Sequence, residues 1–155
     1  MEVKIVELKP TRVVSFHAMS ESPEEDVIKK LTEWAEPKGY LKTPRKHKVL
    51  GFDTPIPKEG DKIRGYEIWM TIDKETRLEG DIKVKDFPGG LYAATTLKNI
   101  SNPWKQIPSG WKKLSEWVKE NGYECEEQQC LEEHLPPSKS LPGTFSLILY
   151  HPIKK

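Results

Sequence analysis

Between positions 130 and 135 the sequence reads Cys-Leu-Glu-Glu-His-Leu, which sets a thiol, a carboxylate and an imidazole at alternate positions: Cys130, Glu132 and His134. Alternate side chains of a strand share a face, so three chemically capable groups fall on one side. Metal ligation needs three or four donors converging on one ion. Side chains two apart on a strand seldom converge, and no second cluster supplies further ligands, so no metal is expected. Nucleophilic use of Cys130 needs a base that a third group orients, and nothing evident orients His134. What remains is the carboxylate Glu132. A carboxylate among apolar and aromatic side chains either meets a cation or holds its proton more tightly. The first suits binding, and the second suits general-base activation of water.

The strands that flank this segment supply the rings. In Tyr66–Ile72, Ile68 and Met70 have the pattern of a helix-packed face, which puts Glu67, Trp69 and Thr71 on the free face. In Phe145–Tyr150, Leu147 and Leu149 point inward while Ile148 and Tyr150 point out. Taking Leu131 and Leu135 as the core side of their strand places Gln128, Cys130, Glu132 and His134 opposite. The expected free face thus carries Trp69, Ile148 and Tyr150 around Glu132, with Tyr92 as a further ring. A one-residue slip in the Glu132–Glu133 segment would exchange the roles of the two acids. Trp104 is read as part of a loop, Asn99–Gly110, with two prolines and a glycine, from which its ring could close over a ligand.

The elements that position these groups come in duplicate. Lys29–Tyr40 reads KKLTEWAEPKGY and Lys112–Tyr123 reads KKLSEWVKENGY, with seven of twelve positions identical. Ahead of each helix lies a strand in which Lys4, Glu7 and Leu8 face Lys83, Asp86 and Phe87. Behind each helix, Leu50 pairs with Leu131, and YEIWM (Tyr66–Met70) aligns with FSLIL (Phe145–Leu149). By this alignment Glu132 corresponds to Gly51, so an acid in one half faces empty space in the other, and that asymmetry leaves room for a ligand. The helices carry apolar stripes, Ile28, Leu31, Trp34 and Ala35 in one and Trp111, Leu114, Trp117 and Val118 in the other. Gly39 and Gly122 stand where a left-handed C-terminal residue is needed. Two strand–helix–strand–strand repeats, about 1–79 and 80–155, are expected to form a single α+β domain. The repeats share an antiparallel sheet, with both helices on one face and a ligand groove on the other.

Composition narrows the function classes. The 155 residues suit one domain, and 25 basic against 24 acidic side chains leave a net charge of +1, no electrostatic reason to bind nucleic acid or an anionic membrane. The basic run Lys42, Arg45, Lys46, His47, Lys48 lacks aromatic interleaving or a recognition helix and reads as a solvated connection. Pro88-Gly89-Gly90 is a turn, not a nucleotide cradle, and no cofactor is expected. The charged N-terminus is no signal peptide, and no apolar run would span a bilayer. Two cysteines make no disulfide framework, so a cytoplasmic location is the default.

The Phe87-Pro88-Gly89-Gly90-Leu91-Tyr92-Ala93 turn, the Gly65–Trp69 strand, the Cys130–Leu135 segment and the terminal Leu149-Tyr150-His151-Pro152-Ile153, in this order within a duplicated chain, resemble the GyrI-like small-molecule-binding domains. These are related to the effector-binding domains of bacterial multidrug-sensing transcription activators. The resemblance implies a groove for hydrophobic, often cationic, aromatic molecules, with Glu132 matching the glutamate that makes the usual polar contact. The expected ligand-binding set is Glu132, Trp69, Glu67, Tyr92, Trp104, Tyr150, Ile148, His134 and Gly51. Some stand-alone members hydrolyse cyclopropane-bearing genotoxins with a tryptophan and a glutamate, which makes Trp69 and Glu132 the catalytic candidates under that alternative. A second alternative is a protein-interaction module, such as a gyrase inhibitor. No helix-turn-helix precedes the domain in this sequence, a departure from the activators, so direct transcriptional control is not expected.

Overall fold

The computed structural model describes residues 1–44 and 46–154; Arg45 of the basic run lies outside them. In chain order the strands are β1 (Lys4–Leu8), β2 (Thr11–Ser20), β3 (Val49–Asp53), β4 (Arg64–Ile72), β5 (Lys83–Phe87), β6 (Gly90–Ile100), β7 (Glu124–Cys125), β8 (Leu131–His134) and β9 (Phe145–Lys154). Helix α1 (Pro23–Ala35) follows β2, and α2 (Pro103–Glu120) follows β6. The architecture is α+β with antiparallel pairing throughout.

Two compact units result, and they do not coincide with the sequence repeats. One is Pro10–Pro88, and the other joins Met1–Lys9 to Gly89–Lys155. The first unit orders its strands β3-β4-β2-β5, and the second β1-β6-β9-β8 with β7 on the end of β9. The strand expected ahead of each helix is in fact two strands, and the first of each pair is exchanged. β1 adds to β6, the strand ahead of α2, while β5 adds to β2, the strand ahead of α1. The breaks fall at Lys9-Pro10 and at Pro88-Gly89-Gly90. Proline cannot donate to a ladder, and Gly89 (φ 74°) and Gly90 (φ 150°) supply the turn conformations that other residues rarely adopt.

Within unit 10–88, α1 starts at Pro23 with Glu24, Glu25 and Asp26 in its first turn, where a fixed φ and negative charge both favour helix initiation. It buries Val27, Leu31 and Ala35 against Val14, Tyr66, Ile68 and Met70. Of the expected stripe, Ile28 is instead exposed, and Val27 takes its place. In the other unit, Leu114 and Val118 are buried against Ala93, Leu147 and Leu149, with Trp111 and Trp117 packed at the edge of that cluster. Gly39 (φ 76°) and Gly122 (φ 78°) end the two helical segments, as the sequence spacing requires. No helix among the described residues is long and apolar enough to cross a membrane.

Candidate functional site

Each unit packs its helix on one sheet face, and the expected site residues of β4 and β9 lie on the opposite one. In unit 10–88, Tyr66, Ile68, Met70 and Ile72 belong to the α1 cluster, so alternation turns Glu67 and Trp69 away from it. Directly opposite residues of an antiparallel pair share a face. Ser15 and Leu50 face Trp69, and Phe52 faces Glu67. Three donors converge on one oxygen of Glu67, which is buried. Ser15 Oγ donates at 2.9 Å, Trp69 Nε1 at 2.5 Å and Lys85 Nζ at 2.6 Å. Burial alone would push the Glu67 carboxyl up. The bonds from Lys85, Trp69 and Ser15, with the Lys85 charge, outweigh it and hold the group below the usual carboxylate range. The Trp69 ring is fixed edge-on to Phe52 (4.9 Å between centroids) and tilted on Phe87 (5.8 Å), with the Lys85 ammonium 6.0 Å from its centroid.

In the other unit the pairing of β8 with β9 decides which acid faces the rings. Leu131 lies opposite Tyr150, Glu132 opposite Leu149, Glu133 opposite Ile148 and His134 opposite Leu147. Leu147 and Leu149 belong to the α2 cluster. Glu132 and His134 therefore share the helix-bearing face, and Leu131 and Glu133 share the face of Tyr150. This corrects the expected assignment by one residue. Glu132 accepts a hydrogen bond from Trp111 Nε1 of α2 at 3.1 Å. Glu133, only 8% exposed, accepts from the Tyr150 hydroxyl at 2.7 Å. Among the described residues no Lys, Arg or His is ion-paired to Glu133. Tyr150 stands edge-on to Tyr92 at 6.1 Å, and the Tyr92 hydroxyl donates toward Gln128 Oε1 and the Gln129 carbonyl. Burial first, then the Glu133 charge and its hydrogen bond, raise the Tyr150 phenol far above its ordinary range. Burial, with Cys130 nearby, raises Tyr92 to about 12. Both phenols thus stay protonated as donors.

Other expected members lie elsewhere. Gly51 sits opposite Ile68 on the α1 face, and the Tyr66 ring fills the space expected for a ligand. A Cβ at Gly51 would stand 2.5 Å from Tyr66 Cε2. Trp104 is on no loop. β6 runs to Ile100 and α2 begins at Pro103, leaving Trp104 in the first turn, 74% exposed. Proline preset for the first helical position drives this. The Gln106 side chain also reaches back to accept from the backbone N–H of Ser101 (2.9 Å) and Asn102 (2.7 Å). The final strands align 81 positions apart, not 79: Leu50 faces Trp69 as Leu131 faces Tyr150. Under that alignment Phe52 opposite Glu67 corresponds to Glu133 opposite Ile148, so the acid and its apolar neighbour trade strands between the units. Cys125 Sγ approaches His151 Nε2 at 3.7 Å, and no group of three potential ligands surrounds a metal position among the described residues.

Ser15, Lys85 and Trp111 are members not expected at the site from sequence, while Glu133 enters from sequence only as the acid that a one-residue slip would exchange with Glu132. Lys85 carried one legible signal: it stands two residues before the buried Phe87, on the same strand face. Ser15 and Trp111 acquire meaning only through strand and helix pairing.

The chain matches the family of integron-associated effector binding proteins (Cass2) over residues 4–153 and belongs to it. Effector binding is accordingly the class of function that fold and family define, and the GyrI-like architecture expected from the motifs is present. Curated proteins give no match. Among solved structures, EcmrR in its complex with DNA superposes with a TM-score of 0.74 at 16% identity, over 99% of this chain and 57% of EcmrR, so this chain spans little more than half of that protein. A hydrolase from Listeria innocua superposes with a TM-score of 0.66 at 10% identity, covering 99% and 92% of the two chains. SAV2435 bound to tetraphenylphosphonium gives 0.58 at 13% identity, over 99% and 94%. At such identities the likeness is one of fold.

Proposed function

We propose that the chain binds a hydrophobic, aromatic monocation, with Glu133 as its polar contact and Tyr150, Tyr92 and Ile148 as the apolar surround. The observation that carries this reading is the difference in ion pairing between the two buried acids. Glu67 is matched by Lys85 at 2.6 Å. Glu133 is buried beside the Tyr150 ring, itself edge-on to Tyr92, with one donor, Tyr150, and no ion-paired cation among the described residues. A desolvated carboxylate without a counter-charge is costly, and an incoming cation supplies the missing partner. Phenol faces add about 0.5–2 kcal/mol per cation contact. The tetraphenylphosphonium held by SAV2435 is a ligand of this chemistry on the same fold.

The test compares tetraphenylphosphonium with neutral triphenylphosphine oxide by calorimetry. The reading predicts that the cation binds at least about tenfold tighter, a difference of roughly 1.4 kcal/mol. Equal affinities would refute it. Incubation with a cyclopropane-bearing electrophile, followed by chromatography, examines the hydrolase alternative. That alternative assigned the base to Glu132, which accepts a hydrogen bond from Trp111 of α2. Turnover abolished by Glu132→Gln but not by Glu133→Gln would favour it over the binding reading.

A further inference from the structure

The arrangement around Glu67 has the parts of a cation site: a buried carboxylate, a tryptophan ring beside it, and two neutral donors that fix the carboxylate in place. Its cation is already present. Lys85 reaches over from β5, places its ammonium 2.6 Å from Glu67 and 6.0 Å from the Trp69 centroid, and keeps a third of its side chain exposed. The equivalent position in β1, 79 residues earlier, is Val6, so the tethered charge is specific to this half of the duplication. We propose that Lys85 is a specificity-determining residue, an internal cation that occupies the Glu67–Trp69 position and so turns ligand cations away from it. Trp69 then presents its ring to neutral groups. The proposal concerns unit 10–88 and stands whether or not Glu133 binds a cation.

A Glu133→Gln background removes any contribution from that acid. In it, the indole N–H resonance of Trp69, identified by its loss in Trp69→Phe, is followed while tetramethylammonium chloride replaces sodium chloride at constant ionic strength. With Lys85 in place the resonance does not move. In Lys85→Met, which keeps the aliphatic stem, it shifts saturably, with apparent affinity raised about tenfold or more. Lys85→Gln, which keeps a donor to Glu67 without charge, shows the same gain and replaces the Met variant should that variant not fold. Lys85→Arg keeps the refusal. Movement of the resonance with Lys85 present, or no gain in either neutral variant, would overturn the proposal. Failure of Glu133 to bind cations would leave these results unchanged.

Discussion

Replacing Tyr150 by Phe removes one hydroxyl, and the cost depends on whether the group beneath it is charged. In the native chain that hydroxyl donates to the buried Glu133 carboxylate at 2.7 Å. A hydrogen bond to a charged group contributes about 1.5–3 kcal/mol, whereas one between neutral groups contributes about 0.5–1.5 kcal/mol. Tyr150→Phe should therefore cost about 2 kcal/mol in the native background. In Glu133→Gln, whose amide oxygen still accepts from the hydroxyl, the same change should cost about 1 kcal/mol. Glu133→Gln alone removes a desolvated charge with no ion pair and should leave stability equal or raised by up to about 1 kcal/mol, a gain typical of substitutions at binding sites. Urea denaturation of the four proteins closes the cycle, with an expected coupling of about 1 kcal/mol. A Tyr150→Phe cost equal in both backgrounds within about 0.5 kcal/mol, the usual scatter of additive pairs, would show that no buried charge meets the hydroxyl.

Two further outcomes follow from the same packing. Gly51→Ala drives a methyl into the buried Tyr66 ring, 2.5 Å from Cε2, and overpacking of this kind costs about 1–3 kcal/mol; an unchanged melting temperature would contradict the placement of Gly51 on the α1 face. The phenols of Tyr92 and Tyr150 titrate above the unfolded value of about 10, to about 12 for Tyr92 and beyond that for Tyr150. Their protonated forms favour the fold. Their contribution is therefore complete below pH 10 and lost as pH rises through the folded values. Alkaline denaturation of Tyr92→Phe and Tyr150→Phe should show a flatter decline than the native protein, and identical declines would remove the linkage.

The duplication, the helix-ending glycines and the inner faces of β4 and β9 were legible because each rests on local periodicity. Tyr66–Ile72 alternates between a wholly apolar row and the Glu67–Trp69 row, and the structure keeps that division. β8 was not legible, for a physical reason. Hydrophobicity marks the core side of a strand only when the other side is wet, and here Leu131 is fully buried on the face of Tyr150. With both faces covered, Leu131 could not indicate which of Glu132 and Glu133 meets the rings. The exchange of β1 and β5 was hidden as well: Pro10 and Pro88 announce a break, but no local signal names the strand each piece will join. The Lys85–Glu67 pair depends on that exchange, since β5 reaches β4 only through β2.

The central claim is that recognition falls to the acid at 133 and not to its neighbour at 132. Calorimetric titration of tetraphenylphosphonium into Glu133→Gln and Glu132→Gln, side by side with the native chain, tests it most directly. Loss of a desolvated charge partner costs about 2 kcal/mol or more, so Glu133→Gln should weaken binding about thirtyfold while Glu132→Gln stays within about twofold of native. The reverse order, or equal binding by both variants, would contradict the account.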